Sequence, residues 1–238
     1  MSEPYRLTPM HHSHLEHRAR MSVRDGWMQV LNYEDPEAEI NAGRYAVGIQ
    51  DATPLSKIDI QGKDCGTILR DLGFEVPEPG RCAPLIHEHS IPSYVARITS
   101  DRCMVFTSPE KREQLYQRLL EATRPGHCAH VTDVTSVYAA VHLIGPETTQ
   151  LLKELGTAPV DNIGVNGCVQ TPTCRVWSLL IRRQALQGSA WLVLVSRDYG
   201  AYVWDSIIAA GRKHQIQPFG ASAAKVLTGM GAFDVAIV

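Results

Sequence analysis

The sequence has no excess of either charge: 23 Lys and Arg stand against 25 Asp and Glu, scattered along 238 residues, for a formal net charge of −2. That leaves no basic footprint for nucleic acid or for an anionic membrane surface. It also lacks any apolar run near the roughly twenty residues that a membrane-spanning helix needs; residues 191–195 are among its strongest. The opening MSEPYRLTPMHHSH has no apolar core of a secretion signal, so the expected compartment is the cytoplasm. Six cysteines, at 65, 82, 103, 128, 168 and 174, form no Cys-x-x-Cys, which reads as reduced thiols. The chain is long enough to bury a full core, as one large domain or as two intimate halves.

What is present is a pattern stated twice. Residues 51–73 read DATPLSKIDIQGKDCGTILRDLG, and residues 133–156 read DVTSVYAAVHLIGPETTQLLKELG. Each opens Asp-x-Thr, passes through a short apolar stretch to a Gly, and ends eleven residues later in Leu-Gly. The offset grows from 82 to 83 along the copy, so the second gained one residue, placed at the inner Gly. Downstream, residues 103–122 lie on residues 191–210 at a constant offset of 88. Ser108 matches Ser196 as an expected helix N-cap. Leu115, Tyr116, Leu119 and Leu120 match Val203, Trp204, Ile207 and Ile208, one face of a helix. A strand–helix–strands–helix unit is therefore duplicated.

Before the first copy, His11, His12, His14 and His17 raise a metal reading, but no Cys or carboxylate set completes it, so no metal is expected and residues 1–40 read as a solvated, partly helical arm. Gly48, Gly62 and Gly145 fit turns. Asp51 and Asp133 fit turns held by a side-chain bond to nearby backbone, a structural reading preferred over a catalytic one. Two irregular stretches, 74–93 and 162–172, occupy matching places in the copies and should emerge near the molecular centre, where loops on a rigid scaffold carry function.

Glu39, Ala42, Arg44, Gly48, Asp51 and Thr53 fall at the spacing of a motif in the T-protein of the glycine cleavage system, the folate-dependent aminomethyltransferase, and the likeness resumes over residues 131–156 and 191–211. The chain resembles that superfamily over most of its length. The resemblance implies an α+β fold of internally duplicated ferredoxin-like halves with antiparallel sheets, as in an aminomethyltransferase folate-binding domain. It divides the chain into an arm over 1–40, a first half over 41–126 and a second over 127–238. Tetrahydrofolate becomes the candidate cofactor.

Three departures stand against the family's chemistry. The acidic pair expected before the strand at 94–99 is replaced by Ile91 and Pro92, leaving Glu88, between His87 and His89, as the nearest acid. A fixed negative charge there would stabilise the cationic states of methylene transfer. The stretch matching the second folate-gripping acid, residues 182–190, reads RRQALQGSA and has none. The sequence runs to Val238, soon after residues 220–230, which resemble the segment preceding the family's C-terminal barrel. Gly167, Cys168, Gln170 and Thr171, followed by an apolar strand and Trp204, resemble instead the small gamma subunit of heterotetrameric sarcosine oxidases. Cys168 beside Gln170 has no His tied to it and reads as a small buried hydrophobe rather than a nucleophile.

The resulting expectation is a folate-binding-like auxiliary subunit of a one-carbon complex, its partner a flavin oxidase or demethylase subunit or a second copy of the chain. The alternative is a tetrahydrofolate-dependent aminomethyl- or methyltransferase with a rebuilt site, in which Glu88 is the catalytic acid or base. Tyr94, Arg97, Arg182 and Arg183 are then the folate-binding candidates, arginine suiting the carboxylates of a glutamate tail.

Overall fold

The computed structural model describes residues 4–85, 93–185 and 188–228. Its elements run α1 (His11–Glu16), β1 (Arg20–Arg24), β2 (Trp27–Asn32), α2 (Pro36–Tyr45), β3 (Gly48–Asp51), β4 (Ser56–Gln61), α3 (Cys65–Asp71), β5 (Arg81–Leu85), β6 (Ser93–Thr99), β7 (Arg102–Thr107) and α4 (Arg112–Ala122). There follow β8 (His130–Asp133), β9 (Tyr138–Gly145), α5 (Thr148–Leu155), β10 (Cys168–Thr173), β11 (Val176–Ala185), β12 (Gly188–Ser196), α6 (Gly200–Gly211), β13 (Gln217–Pro218) and α7 (Ala221–Thr228). Among the described residues no helix is long and apolar enough to cross a membrane.

The two large sheets repeat one another strand for strand. One has the order β5-β6-β7-β4-β8, the other β10-β11-β12-β9-β3 with β13 added in parallel at the edge. The duplication therefore includes an exchange: β3, from the first copy, pairs with β9, and β8, from the second, pairs with β4. The registers agree too. Ile58 faces Asp133 as Val141 faces Asp51, and Cys82 faces Ala96 as Cys168 faces Ile181. Fold and duplication follow the sequence pattern.

The Asp-x-Thr motif is the crossing point. Asp51 Oδ1 accepts the Thr53 amide and Asp133 Oδ1 the Thr135 amide, each at 2.9 Å. The Thr hydroxyls then reach the opposite copy: Thr53 Oγ1 accepts the Ala140 amide at 3.2 Å, and Thr135 Oγ1 the Lys57 amide at 3.0 Å. Lys57 thus answers Ala140. Three residues separate Thr53 from Lys57 and four separate Thr135 from Ala140, so the extra residue sits in this turn and not at the inner Gly. Gly62 and Gly145 correspond, with φ of +131° and +133°, and a Cβ on them would collide with the carbonyls of Cys128 and Ala46.

Layering follows from which face each strand buries. Ile58, Ile60, Val95, Cys103 and Val105 pack with Ile68, Leu69, Leu115 and Leu119 of α3 and α4. Val141, Leu143, Trp191 and Val193 pack with Leu151, Leu152, Val203, Trp204 and Ile207 of α5 and α6. The opposite faces meet each other through Tyr94, Ala96, Met104, Phe106, Leu179, Ile181, Leu192 and Leu194. The order is helices, sheet, sheet, helices. Ile144 and Ala190, further along the inner face of the second sheet, are covered by Phe219, Ala223, Ala224 and Leu227 instead.

Three expectations change. Residues 4–32 are not a solvated arm: Met10, His14 and Trp27 are buried, and Met10 belongs to the core under α6. The β1–β2 hairpin turns on Asp25 and Gly26, both at positive φ, a short-turn signal. Ser108 and Ser196 sit where the caps were expected, but a 3-10 turn precedes each helix and neither hydroxyl caps it. Its first bond is backbone to backbone, Lys111 N–H to Ser108 O at 3.1 Å. Finally, the stretches read as irregular each contain an edge strand, β5 and β10.

Candidate functional site

The inner faces of the sheets place several of the singled-out residues. Tyr94 on β6 is 3 % exposed and donates its hydroxyl to Asn166 Oδ1 at 3.0 Å. Arg183 on β11 lies on the same face as Ile181, because alternate residues of a strand share a face. Its guanidinium carbon stands 4.5 Å from the Tyr94 ring centroid, a cation–π distance. Burial depresses the Arg183 guanidinium and raises the Tyr94 phenol. Nearby on β9, burial and then the Arg183 charge push His142 down to about 3, so its imidazole is neutral. Tyr94 and Arg183 therefore come together, one from each sheet.

Arg97 and Arg182 do not join them. Their registers make them equivalent: Arg97 faces Cys103 and Arg182 faces Trp191. Both point to the helix side and hold loops. Arg97 donates to Pro77 O at 3.1 Å and Ser100 O at 3.2 Å. Arg182 donates to Ile163 O at 2.6 Å and Ser189 Oγ at 3.3 Å, with its guanidinium 5.5 Å from the Trp191 ring centroid. Glu88, with His87, His89, Ile91 and Pro92, lies outside the described residues.

The buried and half-buried carboxylates already have partners. Glu39 accepts the amides of Tyr33 at 2.6 Å and Gly220 at 2.8 Å. Asp59 is gripped by Arg102 through two bonds of 3.0 and 3.1 Å, a fork geometry. Asp133 is paired with Arg112. Asp51 Oδ2 meets His14 Nε2 at 2.9 Å, and His14 Nδ1 meets Tyr33 Oη at 3.0 Å. Burial works against the Asp51 charge, but the His14 bond and charge outweigh it and hold the carboxyl below its usual range. His14, a metal candidate by spacing, is thus a structural partner of Asp51. Among the described residues no three His, Cys, Asp or Glu side chains could hold a metal.

One residue that sequence reasoning passed over is Lys57. It sits on the inner face of β4 with no exposure, its ammonium donating to Leu55 O at 2.7 Å, Thr53 O at 2.8 Å and Thr135 O at 3.3 Å. Burial pushes it down to about 7 against the pull of Asp51 and Asp133, while Arg197 adds to the fall. Its signal was a Lys inside an apolar strand, matched by Ala140 in the other copy.

Duplicated α+β halves exchange their first strands and enclose a cationic, aromatic seam between the sheets. The GCVT N-terminal domain family model matches residues 10–229, and the chain belongs to that family. By sequence it is 25 % identical to the sarcosine oxidase subunit alpha of Corynebacterium sp. (strain U-96), over 98 % of this chain and 26 % of that protein. It is 24 % identical to an aminomethyltransferase of Desulforamulus reducens, over 92 % of this chain and 62 % of the other. The chain thus spans less than two thirds of these curated relatives. The solved aminomethyltransferase T of Bartonella henselae superposes with a TM-score of 0.79 at 14 % identity, covering 94 % of this chain and 62 % of that one. A chain of the heterotetrameric sarcosine oxidase of Corynebacterium sp. U-96 gives 0.66 at 16 % identity, covering 88 % and 96 %. The sequence pattern pointed to a gamma subunit; the sarcosine oxidase relative matched by sequence is an alpha subunit.

Proposed function

We propose that the chain is a folate-binding-like domain acting as an auxiliary part of a one-carbon complex, of the sarcosine oxidase or demethylase kind. The observation that carries this reading is the composition of the inner seam. Tyr94, Arg183 and neutral His142 supply an aromatic face and a cation, and the buried Asp59 and Glu39 are bonded elsewhere, to Arg102 and to the Gly220 amide. A pterin presents adjacent N–H donors that a free carboxylate would accept in pairs; the described residues do not offer one. They do not fit a catalytic pterin site. The likeness to sarcosine oxidase and aminomethyltransferase domains supports membership of a larger assembly, in cis or in trans.

The test is isolation of the tagged chain from its native source, with mass spectrometry of what accompanies it. A stoichiometric flavin oxidase or demethylase subunit is the expected outcome. A chain that runs alone, and whose melting temperature rises with tetrahydrofolate, would instead favour the transferase reading, since a ligand bound only by the native state stabilises it. In that case Glu88→Gln should abolish turnover and Arg183→Met should weaken the thermal shift.

A further inference from the structure

Exposed apolar side chains gather where the N-terminal segment lies along the start of α6. Arg197, in the 3-10 turn that leads into α6, donates from Nη2 to Leu7 O at 2.6 Å, and its amide donates to Val137 O at 2.9 Å. Pro9 packs so closely on Gly200 that a Cβ there would stand 2.5 Å from the Pro9 Cγ, and Ser13 Oγ donates to Asp205 Oδ1 at 3.2 Å. These ties bring five large side chains to one surface: Tyr5 (45 % exposed), Leu7 (42 %), Val137 (52 %), Tyr199 (52 %) and Tyr202 (50 %). Tyr5 and Leu7 share a face, because residues two apart on an extended segment do; Arg6 between them turns to the Trp27 ring. Tyr199 and Tyr202 are three apart at the start of a helix and are neighbours on its surface. The duplication shows that the fold does not require these tyrosines. At the constant offset of 88 their counterparts are Lys111 and Gln114, both exposed.

We infer that this patch is an interface between two copies of the chain, related by a two-fold axis. Area is the first argument. Large side chains of this kind carry roughly 200 Å² each, so five of them at about half exposure present roughly 500 Å², most of it carbon. A standard interface covers about 800 Å² on each partner, and in homodimers about 65 % of that is apolar. The apolar centre of a stable dimer contact is therefore present on one copy. Charge is the second argument. Arg6 is engaged by the Trp27 ring, Arg197 by Leu7 O, and Asp205 by Ser13, all within the chain. Asp198 stands exposed beside Tyr199. A phenol hydroxyl both donates and accepts, and a carboxylate accepts. Tyr199, Tyr202 and Asp198 can thus bond to their own counterparts across an axis, which is the self-complementarity that an isologous contact needs. A strongly charged partner would find little here to pair with.

The test is sedimentation velocity on the chain over a concentration series from the micromolar range upward. The expected result is a mass that rises from 26.3 kDa to twice that value. The melting temperature should rise with it, since association of native chains alone stabilises them. Tyr199→Lys combined with Tyr202→Gln installs the residues that the first half carries at the equivalent places, and it should hold the mass at one chain throughout. Tyr45→Gln, at a 72 % exposed aromatic on α2, should associate as the wild type does. Hydrogen exchange on the wild type at low and high concentration locates the contact without any substitution: protection should rise over residues 4–9 and 197–206. A wild type that stays at one chain mass, a double variant that still dimerises, or protection confined to other segments overturns the inference. So does a flavin oxidase or demethylase subunit that binds the wild type and not the double variant, because the patch then belongs to that partner. None of these readouts needs folate, and a monomeric wild type leaves the proposed function standing.

Discussion

The burial of Lys57 between the sheets is testable by pH. Replacing this residue with Met keeps the volume of the stem and removes the only ionisable atom. In the unfolded chain this ammonium titrates near 10.5, whereas in the native inner layer it falls to about 7. Below about 7 both states hold the proton, and the cost of burying the charge is present in full. Between the two values unfolding takes up a proton, so native stability gains from this residue as the pH rises. The gain runs at up to about 1.4 kcal/mol per pH unit, roughly 5 kcal/mol over the whole interval. Urea midpoints for wild type and Lys57→Met, every half unit from pH 6 to 9.5, isolate the effect. The buried tyrosines and thiols contribute equally to both proteins and cancel in the difference. The wild-type curve should climb relative to the variant above pH 7. Parallel curves would refute the reasoning, since they would mean that the ammonium keeps its proton in the native state through its three carbonyl bonds.

Two further predictions use equivalent positions as internal controls. Asp51→Asn leaves a buried His14 without its carboxylate and should cost roughly 3 kcal/mol by chemical denaturation, whereas Asp133→Asn, on a half-buried pair with Arg112, should cost nearer 1 kcal/mol. The Asp51 contribution is complete above the ordinary carboxylate range and is lost as the pH falls through it towards the lowered native value, so acid unfolding should begin earlier when His14 is replaced by Gln. Gly62→Ala and Gly145→Ala each force a Cβ into a backbone carbonyl at positive φ and should cost more than about 3 kcal/mol apiece, read as loss of soluble, cooperatively unfolding protein.

The repeat was legible because its signals are local and survive in both copies. Asp-x-Thr, the Gly closing each central strand, and the paired apolar positions Leu119 and Ile207 all serve one element at a time. The exchange of first strands was not legible, because β3 and β8 have the same pattern whichever sheet they join. Lys57 and Asp59 were missed for a different reason. They alternate with Ile58 and Ile60, and alternation ordinarily means one wet face. Here the other sheet covers that face, so both polar residues are buried and need internal partners, three carbonyls for one and Arg102 for the other. The arginines were grouped by charge alone. Strand parity separates them, since neighbours Arg182 and Arg183 must face opposite sides.

That parity, read through the duplication, supplies a further test. A demand made by the fold acts on both copies, so a residue kept at equivalent positions answers to architecture. Arg97 and Arg182 are such a pair, each bonded to a carbonyl of the loop that follows α3 or α5. Arg183 is not: the residue that follows Arg97 on β6, at the register shift between Arg97 and Thr99, is Ile98, which packs at the margin of the same inter-sheet core. The first half thus folds with an apolar side chain where the second carries a desolvated cation. Arg183→Ile gives up the contact with the Tyr94 ring but puts in its place the side chain that the first half carries after Arg97. Arg182→Leu removes the hydrogen bonds to Ile163 O and Ser189 Oγ that tie down the loop after α5. By differential scanning calorimetry, Arg183→Ile should melt close to the wild type and Arg182→Leu well below it. The opposite order would place Arg183 among the supports of the fold and remove the reason for reading it as the functional side chain of the seam.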